Sequence, residues 1–80
     1  MKISMGEYCR FGLQGRLQLV RLYGEVICSG VFEKKQVVVF RMTDFHVAVI
    51  KELMHQKILS ADPVLTPAML RFYYRHLNKN

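Results

Sequence analysis

Cysteine is scarce in this chain: Cys9 and Cys28 are the only two among eighty residues. Two thiols make no disulfide framework, so reduced and mostly buried side chains are expected, as in a cytosolic protein. Soft metal ligands run short with them. The three histidines (His46, His55, His76) and the two cysteines never fall into Cys-x-x-Cys, His-x-x-x-His or His-Glu-x-x-His spacing, which excludes the common zinc signatures. Acidic residues number six against twelve Lys and Arg, and none pair up at general acid–base spacing. No apolar run approaches membrane-spanning length, and the opening "MKISMGEYCRF" holds no core segment of a signal peptide. A cytoplasmic location without membrane contact is the expectation. Phosphate loops are missing too: "GLQG" and "GEVICSG" lack the strand–Gly–helix context and the Lys-Ser/Thr ending. Together these absences predict a protein that is not an enzyme, with no catalytic residue, no cofactor and no metal.

Two weak constellations survive the exclusions. On a strand, Asp44 and His46 would point to one face and could hold a metal with a third ligand. Cys28 and His46 could meet across neighbouring strands, although the apolar setting of "VICSG" makes an inert, structural cysteine the stronger reading.

What the chain does have is apolar residues, 51% of the total, in a length that makes one domain over 1–80. At this size only about 60% of the unfolded surface can be buried. Some of the oily surface should therefore stay exposed unless a second copy or a protein partner covers it. The net charge of +6 is spread without a basic run longer than two, which favours salt-sensitive contact with anions, nucleic acid included. All five glycines fall in the first half and both prolines in the last quarter. Residues 1–12 are accordingly expected to be the loosest part. Ser4 and Glu7 have capping-box spacing, but Gly6 and Gly12 weaken a helix there.

Leu13, Leu17, Val20 and Tyr23 form one helical stripe, with Arg21 in the last turn and Gly24 as the stop. "EVICSGVF" and "QVVVFRM" read as strands joined through "EKKQ". Val37 to Phe40 are apolar on both faces, which marks a central strand covered on at least one side by helix. The next segment, "DFHVAVIKELM", can be drawn either way. As a helix it would start at Thr43 or Asp44 and line up Val47, Ile50, Met54 and Ile58. As a strand, Phe45, Val47 and Val49 would face one side, and "ELMHQ" would turn into "KILSAD". The β-branched trio Val47, Val49 and Ile50 tips the balance towards the strand, by tenths of a kcal/mol for each residue. Finally, Thr66 caps and Pro67 opens a helix whose apolar stripe is Leu70, Tyr73, Tyr74 and Leu77.

"LYGEVI", "VVVFRMTDFHVAV", "ILSADPV" and "MLRFYYRHL" together resemble a family of small uncharacterised bacterial α+β proteins. In that family a Gly-Glu pair, here Gly24 and Glu25, follows a leading helix, and a Leu-x-x-Tyr helix closes the chain. The sequence departs from the pattern at His46, where an aromatic is usual, and at Ala48, where a carboxylate is usual. The resemblance implies that "DFHVAV" is a strand; it implies no activity.

The expected fold is therefore α+β: an N-terminal helix, an antiparallel β-meander of three to four strands and a C-terminal helix, both helices on one sheet face. The alternative is a helix, a two-stranded hairpin and two helices. Function is expected to be that of a small interaction module, a homodimer or protein-binding unit. Val38, Phe40, Phe45, Val47 and Val49 are the candidate self-association seam. The alternative is a nucleic-acid accessory protein that contacts its partner through Arg71, Arg75, His76 and Lys79, with an exposed tyrosine stacking on a base.

Overall fold

The computed structural model describes residues 2–79, Lys79 by its backbone alone. Two helices open the chain, α1 (Met5–Cys9) and α2 (Leu13–Tyr23). Four strands follow: β1 (Glu25–Phe32), β2 (Lys35–Arg41), β3 (His46–Glu52) and β4 (Lys57–Pro63). Helix α3 (Pro67–His76) and a two-residue strand β5 (Asn78–Lys79) close it. The sheet order is β4-β3-β2-β1-β5, with every pairing antiparallel. The ambiguous middle segment is a strand. Its β-branched residues lose less rotamer freedom in the pleat than in a helix, and Leu53 to Gln56 make the turn into β4.

The helices do not share a face, contrary to expectation. Register explains this: Val47 and Val49 lie opposite Phe40 and Val38, while Ala48 and Ile50 lie opposite Val39 and Val37. Side chains alternate across the sheet, so these are its two sides. Val47 and Ala61 form a core with Tyr8 of α1 and Val20 of α2, and Phe40 and Val49 pack against it. Cys28, Val37, Val39 and Ala48 form another with Leu77, packed by Leu70 and Tyr73 of α3. The four consecutive apolar residues of β2 require this cover on both sides.

Residues 2–12 also differ from the loose segment expected of them. Ser4 and Glu7 close a full capping box: each side chain accepts the other's backbone N–H at 3.1 Å. Ile3 and Tyr8 are core residues. Tyr8 has no exposed surface, and its hydroxyl donates to the Ala61 carbonyl oxygen at 2.7 Å. Arg16 binds this corner together. Its guanidinium donates to the Phe11 and Cys9 carbonyls, pairs with Asp62 at 2.7 Å and lies 5.3 Å above the Tyr8 ring.

Two edges need protection in such a sheet. On β4 the pairing skips Leu59, since Ser60 faces Ile50 and Ile58 faces Lys51, so the strand carries a bulge and then ends at Pro63. On the opposite edge, β5 pairs only with Cys28 and Ser29 of β1.

Candidate interaction surface

Helix α3 forms because Thr66 and Pro67 fix its start. The Thr66 hydroxyl oxygen accepts the Met69 N–H at 3.2 Å, and Pro67 occupies the position where a missing N–H costs nothing. It ends at Leu77, whose N–H donates to the Tyr73 carbonyl at 2.9 Å. Leu77 then seats on β1 over Gly30. A Cβ at Gly30 would lie 3.1 Å from the Leu77 side chain, so the glycine permits this close approach. Leu70, Tyr73 and Leu77 point into the core, and burial holds the Tyr73 phenol above its ordinary pKa.

The opposite stripe of α3 carries Ala68, Arg71, Phe72, Arg75 and His76. These line a shallow hollow of about 240 Å³. Phe32, at the end of β1, stands beside it: its ring meets that of Phe72 edge-on, with centroids 5.6 Å apart and planes at 88°. His76 lies 4.4 Å from Phe72 and 6.2 Å from Phe32. Phe72 and Phe32 remain 43% and 40% exposed. The hairpin tip next to Phe32 is a two-residue turn in which Glu33 and Lys34 both adopt positive φ, at 52° and 64°. Asn-Gly is the low-strain choice for that geometry, so this chain keeps long charged side chains where they are costly.

Electrostatics sets this stripe apart. Glu25, Glu52 and Asp62 pair with Arg41, His55 and Arg16. Among the described residues Arg71 and Arg75 make no ion pair, and no acidic residue follows Asp62 in the sequence. Arg71, Arg75 and His76 thus come together as the sequence suggested. The side chain of Lys79 lies outside the described residues. Phe32 was missed, because nothing local to "GVFEKK" signals contact with a distant helix.

The expected seam lies elsewhere. Val47 has no exposed surface and Phe45 is 7% exposed, both under α1 and α2, so neither can meet another chain. Val38, Phe40 and Val49 are half-buried on the same side of the sheet. The Cys28–His46 pairing also fails: β2 separates their strands, which puts them on the order of 10 Å apart. Cys28 is fully buried and Cys9 exposed. Asp44 and His46 do share a hollow of about 330 Å³, with Met5, Thr66, Leu65 and other apolar residues. Burial, helped by Arg41, holds His46 below the ordinary imidazole pKa. Among the described residues no group of three metal-ligating side chains assembles, and no helix is long and apolar enough to cross a membrane.

Fold and surface together define an α+β protein with a helix-covered antiparallel meander and one exposed aromatic, basic stripe. No protein-family model matches the chain, and no curated protein or solved structure is significantly similar to it.

Proposed function

We propose that the chain is a non-enzymatic interaction module that binds an anionic partner, a nucleic acid in the first place, through α3 and the β1–β2 hairpin tip. One observation carries the reading: Arg71 and Arg75 stand four residues apart, one helical turn, on an exposed face with no acidic neighbour on their own helix. A solvated rim over core aromatics would need no exposed Phe72 between them. The test is retention on immobilised heparin against salt. Arg71→Ala with Arg75→Ala should elute markedly earlier, and on a nucleic acid the slope of log K against log salt should fall by roughly 1.4–1.8 for two lost phosphate contacts. Retention unchanged by the double substitution defeats the proposal.

Self-association is the second reading, and a different surface favours it. Val31 is 64% exposed beside a stretch of β1 that β5 leaves uncovered. A second copy pairing along that edge would hide both. Sedimentation at low and high micromolar concentration is then expected to give a rising mass, and Val31→Lys should hold the chain monomeric. A single mass across the range removes this reading.

A further inference from the structure

Resting on the reading of α3 as an anion-binding surface, we infer that its partner is a single-stranded polynucleotide. Phe72 and Phe32 are the stacking side chains, and Arg71 and Arg75 are the phosphate contacts. The rings meet at 88° and both side chains keep about two-fifths of their surface exposed, so together they form a corner instead of one flat patch. A corner suits a base splayed out of its strand, whose π-face can lie on one ring while its edge meets the other. Paired and stacked bases in a duplex offer no such face. The 240 Å³ hollow is smaller than the roughly 300–1,000 Å³ of a small-molecule pocket, which fits one flat group and not a whole metabolite. His76, 4.4 Å from Phe72, adds a third ring to the platform.

The cations are placed to match. Arg71 and Arg75 flank Phe72 on the helix, while Phe32 is followed by Glu33 and Lys34 in the strained tip and by Lys35 at the start of β2. The two lysines outnumber the single Glu33 on the hairpin side, so the sequence on both sides of the aromatic corner is net positive, which suits a backbone running past it. The two tyrosines of α3 take no part: Tyr73 belongs to the core beneath, and Tyr74 is half-buried.

The experiment is fluorescence anisotropy with a labelled oligothymidylate of about fifteen nucleotides and a duplex of equal length, at matched ionic strength, a length within usual single-strand site sizes. The single strand should bind at least about tenfold more tightly, and Phe72→Leu should remove roughly that factor, the expected value of one stacked base. Heparin retention should survive the same substitution, because both arginines remain. Phe32→Leu provides a second, independent loss, and far-ultraviolet circular dichroism confirms that each variant is folded. Equal binding of duplex and single strand, or indifference to both leucine substitutions with heparin retention intact, overturns this inference and leaves the polyanion reading standing. Absence of binding to both oligonucleotides and to heparin overturns the two together. If the leucine variants instead abolish a concentration-dependent dimer and show no oligonucleotide preference, the corner belongs to a second copy and the inference is wrong.

Discussion

Replacing Tyr8 by alanine is expected to destabilise the chain by about 3–5 kcal/mol, the range for deleting a buried aromatic side chain. Three contacts fail at once. The ring packs against Phe45 at 5.6 Å, lies beneath the Arg16 guanidinium and carries the hydroxyl that satisfies the Ala61 carbonyl. Small domains sit near the low end of the usual stability of about 5–15 kcal/mol, so a loss of this size should leave much of the protein unfolded at 37 °C. Urea unfolding of Tyr8→Ala and Tyr8→Phe separates the parts. The phenylalanine variant keeps the ring and should lose about 1–3 kcal/mol, the cost of leaving the buried Ala61 carbonyl without its partner. A Tyr8→Ala midpoint within error of the parent would mean that α1 contributes nothing to the core.

The same side chain gives a signature at high pH. Burial pushes the Tyr8 phenol up to about 12, with Arg16 partly opposing the shift. An unfolded tyrosine ionises near 10. Between about 10 and 12 the unfolded chain releases a proton that the folded chain keeps, so stability is whole below that window and falls as pH rises through it. Tyr8→Phe should flatten the decline without abolishing it, because burial shifts Tyr73 in the same direction.

Little of this corner could be read in advance, and the reason is length. Helix α1 spans five residues, too few for a period to show, and two nearby glycines outweighed a capping box that the structure does contain. The longer elements were legible. Helix α2 runs from Leu13 to Tyr23 as its stripe predicts, α3 starts at Thr66 and Pro67, and the strand reading of His46 to Glu52 holds. The side of the sheet on which α3 lands was not legible, since that depends on a right- or left-hand exit after Pro63 that composition does not encode. One clue was on view: four consecutive apolar residues in β2 already asked for cover on both faces. For the candidate surface, the sequence supplied Arg71, Arg75 and His76 but not Phe32, which only the hairpin brings alongside.

Gly24→Ala is expected to lower the melting temperature by roughly 10 °C, from a loss of about 2 kcal/mol in a domain of this size. Helix α2 ends at Tyr23 and β1 begins at Glu25, leaving one residue for the whole change of direction. Gly24 is not left-handed there: its φ is −87°, and its N–H donates to the Val20 carbonyl at 2.8 Å. Space is the constraint. A Cβ would lie 2.6 Å from the Val20 carbonyl oxygen and 3.2 Å from the Phe40 ring, so backbone must shift or β1 must move off its neighbour. The entropy gained from losing a glycine, about 0.4–1 kcal/mol, does not offset this. Gly12→Ser is the control. Nothing lies within 4 Å of a Cβ at Gly12, and α2 has no side-chain cap, so a serine there should leave stability unchanged or raise it by a few tenths of a kcal/mol. Equal melting temperatures for Gly24→Ala and Gly12→Ser would rule out crowding at the helix–strand junction.

The bulge at Leu59 bears on how these molecules behave at high concentration. A flat outer strand that exposed Ile58 and Leu59 without interruption would invite neighbours to add their own strands in step. With one residue out of phase, an incoming chain that matches the amides on one side of Leu59 is out of step on the other, and growth stalls. Together with Lys57, Asp62 and the terminal Pro63, this misfit residue makes the outer strand a poor template for a neighbour.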